Sequence, residues 1–185
     1  MRVILASKSP RRKELLGKLF ENFEIKVSRV NEELDDGVNV VSGVEILSVR
    51  KGAEIALENP DALVISSDTL VELDGAALGK PSDKTEAVKM LKSLSGRGHN
   101  VHTGVAVHYN GKLFSGVATS TVYFRELSDA EIYEYVESGA PMDKAGAYGI
   151  QGEAGKFVLR YDGDFDTIVG LSLRLTKELV EKATE

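Results

Sequence analysis

Three cations stand where a helix should begin. In Ser7-Lys8-Ser9-Pro10-Arg11-Arg12-Lys13, Ser9 reads as an N-cap and Pro10 suits the first helical turn. Arg11 and Arg12 then oppose the partial positive charge of the helix start, where acids are usual. The segment follows a short buried strand, the place where open α/β sheets put their ligand crevices. Backbone N–H groups, the Ser7 and Ser9 hydroxyls and two guanidinium forks make a compact anion cradle, suited to a small polyphosphate. The competing reading is a solvated helix face.

A second constellation lies in SSDTLVELDGAALGKP, residues 66–81. Asp74-Gly75 signals a two-residue hairpin turn. Pairing outward from it sets Val71 against Leu78 and, if the ladder continues, Thr69 against Lys80. Asp68, Thr69 and Lys80 are thus expected at the open end of one hairpin. Strict alternation puts Asp68 on the face opposite Lys80, so a bulge at Gly79 or a strand end at Ser67 is needed to join them. A carboxylate there suits metal binding or water activation, and a lysine suits phosphate; an ordinary ion pair is the plainer alternative. Lys51, one turn beyond Leu47 on a helix rim, and Glu32, in the acidic turn VNEELDDG, are secondary candidates, each more readily explained alone as surface. Phosphoryl chemistry with Mg²⁺ requires several carboxylates and cations to converge.

Alternating strands and helices must position these groups. Leu15, Leu16, Leu19 and Phe20 form the apolar stripe of the first helix. Ser42 and Glu45 read as a capping box opening a second helix, with Ile46, Val49, Ala53 and Leu57 on one face. A helix over 83–96, a long hairpin turning at Asn110-Gly111, a helix capped by Ser128 and Glu131, a glycine-rich stretch over 144–155, a strand over 156–163 and a C-terminal helix follow. The hairpins forbid an all-parallel sheet, so the class is α/β with a mixed sheet.

Composition limits the function. The chain has 185 residues, a formal net charge of −6 and no cysteine. A length of 185 residues fits a single domain over 1–185. The negative balance argues against a nucleic-acid binder, and the missing cysteines exclude disulfides, thiol catalysis and cysteine-based zinc sites. The apolar N-terminal run stops at Ser7, too short for a secretory leader, and no stretch approaches the roughly 20 apolar residues of a membrane span. A cytoplasmic protein is the expectation. His102 and His108 share a strand face but stand roughly 20 Å apart, which disfavours a shared metal.

LASKSPRRKELL, SSDTLVELDG with LGKP, LSGRGHNVHTGVAV, and DKAGAYGIQGEAGKFV with GDFDTIVGLSL together resemble the Maf family, in order and spacing, over nearly the whole chain. The resemblance implies an elongated mixed sheet flanked by helices, with two lobes around a cleft as in inosine triphosphatases. It implies a nucleotide pyrophosphatase that uses a divalent metal, Mg²⁺ or Mn²⁺, to convert a nucleoside triphosphate to the monophosphate and pyrophosphate. Ser7, Arg11 and Arg12 then fall on the phosphate-binding segment, Glu32 and Lys51 on the cleft, Asp68 on the catalytic acidic position with Glu32 as a fellow metal ligand, and Lys80 on the lysine of the KP step. Thr69 and Gln151 would select the base. GAYGIQG resembles the dTTP- and UTP-acting branch; a glutamate at 151 would mark the 7-methyl-GTP branch. A carboxamide both donates and accepts, as an alternating pyrimidine edge requires. The rivals are that second branch and a nucleotide-binding cell-division regulator with little turnover. A nucleotide and a second copy of the chain are the expected partners. Ser172 departs from the family's more usual proline.

Overall fold

The computed structural model describes residues 1–185. Its single sheet has seven strands: β1 (Val3–Leu5), β2 (Glu24–Ile25), β3 (Leu63–Leu73), β4 (Ala76–Leu78), β5 (Gly98–Tyr109), β6 (Lys112–Phe124) and β7 (Val158–Asp162). The order is β2-β1-β3-β5-β6-β7, with β4 paired to β3. β1 runs parallel to β2 and β3, while β3/β4 and β6/β7 are antiparallel, so the sheet is mixed as expected. The helices are α1 (Pro10–Leu16), α2 (Val40–Glu58), α3 (Lys84–Leu94), α4 (Asp129–Glu137), α5 (Phe165–Val169) and α6 (Leu173–Thr184).

The chain forms two compact units. The first comprises residues 1–69, 103–118 and 170–185; the second comprises 70–102 and 119–169. In the first, Ile4, Ala6, Ile55, Ala62 and Val64 form a buried cluster. The core of the second gathers Leu91, Leu94, Phe124, Ile132, Tyr135 and Phe157, among others.

Local chemistry sets most boundaries. Asp74 and Gly75 (φ 52° and 79°), like Asn110 and Gly111 (49° and 73°), are left-handed at both central positions. That conformation matches the twist of a tight hairpin. The Ser128–Glu131 capping box forms in both directions. Ser172 caps α6 by accepting from the Leu175 N–H.

The reading of α2 needs correction. Its cap is Asn39, whose side chain accepts from the Ser42 N–H, so the helix starts before the expected Ser42 box. Its buried face carries Val40, Val44, Leu47, Ser48, Gly52 and Ile55; Ile46 is exposed and Leu57 is 84% exposed. The reason is close packing. A Cβ on Gly52 would strike Ser66 and His108, and one on Gly104 of β5 would lie 2.5 Å from the Val44 carbonyl oxygen. Ser48 and Gly52 share the contact with Val44, Leu47 and Ile55. Residues 165–169, for which no helix was expected, form the short α5.

Candidate active site

The first unit builds its charged cluster from β3 outward. Ser66 and Ser67 are fully buried, and Asp68 is only 7% exposed. Alternation sends Ser66 and Asp68 to one face and Ser67 and Thr69 to the other.

On the first face, the Ser66 hydroxyl donates to the Ser48 carbonyl of α2 at 2.7 Å. Three residues along the helix advance about 4.5 Å and two along the strand about 6.5 Å. Those steps carry Lys51 to Asp68: the ammonium donates to Asp68 Oδ1 at 2.5 Å. It also lies 3.1 Å from Glu32 Oε1. Glu32 is more exposed, on an irregular segment fixed against α2. Arg50 Nη1 donates to the Glu33 carbonyl at 2.6 Å, and the Arg29 N–H donates to Glu54 Oε2 at 2.7 Å. The helix rim expected for Lys51 is therefore its inner edge, and two carboxylates share one ammonium.

On the second face lies α1. The Ser9 hydroxyl accepts from the Arg12 N–H, and the buried Ser7 hydroxyl accepts from the Ser9 N–H. Ser9 is thus the cap and Ser7 orders the turn before it. Arg12 turns inward: Nε donates to the Gly170 carbonyl at 2.7 Å and Nη2 to Thr69 Oγ1 at 3.1 Å. The Ser67 hydroxyl meets the same Gly170 carbonyl at 3.0 Å, and Thr69 and Thr103 share a 3.0 Å hydroxyl contact. Burial pushes the Arg12 pKa down from its ordinary value, opposed mainly by the negative charge of Asp68 and helped by repulsion from Arg11. Arg12, expected at an anion site or on a solvated helix face, also holds the protein together. Thr103 and Gly170 escaped the sequence reading, and Ser67 entered it only as a possible strand end; the only hint was two serines in an otherwise apolar strand.

Lys80 and Gln151 belong to the second unit. The β3/β4 ladder has the expected register, Val71 to Leu78, Glu72 to Ala77 and Leu73 to Ala76, but it stops there. Lys80 follows in a bend and is exposed, so pairing does not set it against Thr69. β3 also runs unbroken through Ser67, which removes the strand end considered there. The Gly79 carbonyl instead accepts from the Gly146 N–H at 3.1 Å. That bond ties the Lys80 step to the glycine-rich segment in which Gln151 sits exposed on a turn.

Each histidine has structural neighbours. His99 bonds Tyr148, His102 bonds Thr119 and lies 3.5 Å from Glu72, and His108 packs beside Gly52. No group of three or more His, Cys, Asp or Glu side chains is arranged to hold a metal ion.

Many curated proteins are similar to this chain. One from Bacillus velezensis, named dTTP/UTP pyrophosphatase, is 45% identical over 98% of both chains. Another of that name from Aquifex aeolicus is 46% identical, covering 94% of this chain and 90% of its own. A third, from Thermococcus gammatolerans, is 44% identical over 99% and 97%. Among solved structures, the Ham1 protein of Staphylococcus aureus aligns over 100% of this chain and 94% of its own, with a TM-score of 0.49 and 16% identity. The model of the family described as Maf-like protein matches residues 2–183, taking in the Ser7–Arg12 turn, the Lys51–Asp68 pair and Gln151 alike, and the chain belongs to that family.

Proposed function

We propose that the protein is a metal-dependent nucleoside triphosphate pyrophosphatase that converts dTTP and UTP to the monophosphate and pyrophosphate. The observation that carries the reading is the Lys51 ammonium shared by Asp68 and Glu32 in the unit that also holds Arg12. The names of the relatives support the substrate class.

Asp68 and Glu32 are fit to hold Mg²⁺ or Mn²⁺. Both are hard oxygen donors within reach of one cation, already occupied by an ammonium. Mg²⁺ usually takes one or two carboxylates and completes its shell with phosphate and water. No third protein ligand is therefore required. When bound, the ion would neutralise phosphate charge during transfer.

The chain's own groups do the rest. Asp68 takes the proton of the water that attacks the α-phosphorus, and pyrophosphate leaves. Arg11, Arg12, Lys51 and Lys80 hold the phosphates, and the Ser7 turn offers donors beside them. Gln151 and Thr69 select the base. We place this activity in the cytoplasm.

The test is product analysis over dTTP, UTP, CTP, GTP and 7-methyl-GTP, with Mg²⁺, Mn²⁺ or chelator. Monophosphate and pyrophosphate from dTTP and UTP, lost with chelator, are expected. Release of single phosphate would overturn the reaction, and preference for 7-methyl-GTP would overturn the branch.

A further inference from the structure

The segment that presents Gln151 has few internal supports. Gly149 and Ile150 are half-buried, and Gln151, Gly152 and Glu153 are exposed. The segment turns on short bonds of its own, from the Gly152 N–H to the Gly149 carbonyl and from the Gly155 N–H to the Gly152 carbonyl. What precedes it is different: Gly146, Ala147 and Tyr148 are all buried. Ala147 is left-handed at φ 64°, a conformation that disfavours any residue with a Cβ. Gly146, at φ 69°, has no room for a side chain, because a Cβ would lie 2.8 Å from Val71. Such backbone persists only where its surroundings enforce it.

Tyr148 directly follows this strained pair. It is the last buried side chain before Gln151, and its hydroxyl is 2.6 Å from His99 Nε2. Its ring meets Phe124 edge-on at 4.8 Å and His99 at 5.4 Å. Burial lowers the His99 pKa to about 4, so the contact is neutral at ordinary pH. His99 Nδ1 has no partner. Packing alone does not explain this pair. Two apolar side chains of the same shape would avoid both the buried hydroxyl and the orphaned nitrogen. What the polar contact adds is one fixed orientation of the tyrosine.

We propose that His99 and Tyr148 are a positioning pair: their hydrogen bond locks the Gly146–Tyr148 backbone, and this holds Gln151 where it meets the pyrimidine base. The proposal rests on the reading of Gln151 as the base-selecting residue. Neither His99 nor Tyr148 touches the substrate.

The experiment measures equilibrium binding of dTMP and of pyrophosphate, by calorimetry, to the wild type and to Tyr148→Phe, His99→Leu, His99→Gln and Gln151→Ala. Tyr148→Phe and His99→Leu should weaken dTMP about tenfold and leave pyrophosphate within twofold. His99→Gln, whose amide can still bond the tyrosine hydroxyl, should recover most of the dTMP affinity. A purely structural role would weaken both ligands together or neither, and either result overturns the proposal. Should Tyr148→Phe fail to fold, the contrast between the two His99 variants decides. If Gln151→Ala weakens dTMP while Tyr148→Phe and His99→Leu do not, positioning is wrong and the function stands. If Gln151→Ala leaves dTMP binding unchanged, the base-reading assignment fails, and the positioning role fails with it.

Discussion

Arg12 Nε donates to the carbonyl oxygen of Gly170, 158 residues away, at 2.7 Å. The same oxygen accepts from Ser67. One backbone carbonyl thus orients both a cation of the candidate site and the strand beside its acid. Gly170 has φ 131°, which disfavours every residue but glycine.

Arg12→Ala should therefore cost stability even without ligand. It strips a charged donor from a shared carbonyl and from Thr69, a loss of about 1–3 kcal/mol. The helix-dipole argument taken alone predicts the opposite sign, a gain of about 0.3–1 kcal/mol. Thermal melts of the empty protein decide between them. Arg12→Lys should recover little, because one ammonium cannot reproduce the two-nitrogen contact.

Asp68→Asn should leave the fold intact and remove turnover. The amide oxygen can still accept from Lys51, but it cannot take a proton from water. A loss of roughly 10²–10³ in kcat is expected, the scale for a principal electrostatic group. Pyrophosphate release beside an unchanged melting profile is the check. Activity near half of wild type would move the role to Glu32.

Gln151→Glu should shift the relative kcat/KM for UTP over GTP-type substrates at least tenfold away from UTP. The carboxylate confronts a pyrimidine carbonyl with a second acceptor, and an unpaired acceptor costs about 1–3 kcal/mol. The side chain is exposed on its turn, so its change should leave the melting temperature nearly untouched. An unchanged ratio would remove Gln151 from base recognition.

Acid should destabilise the protein partly through His99. Its folded pKa is lowered by burial from 6.5 to about 4, so the unfolded chain binds the proton more readily. The stability this neutral ring contributes is complete above pH 6.5 and is lost as pH falls toward 4. At about 1.4 kcal/mol per unit, the effect is on the order of 3 kcal/mol at most. His108, lowered by burial too, adds in the same direction. His99→Gln should flatten the acid limb of stability against pH. An unaltered limb would assign acid sensitivity to other groups.

The local parts of this structure were legible in the sequence and the distant ones were not. Asp74-Gly75 predicted the β3/β4 register because a two-residue turn leaves no freedom. Ser9-Pro10 and Ser128-Glu131 predicted their caps because the bonds span only a few residues. The buried face of α2 was misread because Ser48 and Gly52 are buried by close approach to β3, and hydrophobicity does not record closeness. Lys51 is nonetheless a candidate from sequence, one turn beyond Leu47 on the helix rim, and so are its two carboxylates. The second task of Arg12 had no local signal, since its acceptor is a main-chain oxygen that any residue carries.

The interleaving of the two units has a consequence for synthesis on the ribosome. The first unit is assembled from residues 1–69, 103–118 and 170–185, so the Gly170 acceptor is translated 158 residues after Arg12 and 103 after Ser67. At roughly 5–20 residues per second, the emerging chain spends on the order of 5–20 s with β3 made and Gly170 not yet present. During that interval the Arg12 guanidinium and the Ser67 hydroxyl lack the carbonyl that later fixes them. The nascent protein therefore completes its candidate catalytic centre late in elongation, and a pause or truncation before Gly170 should yield an intermediate open to chaperones and proteases.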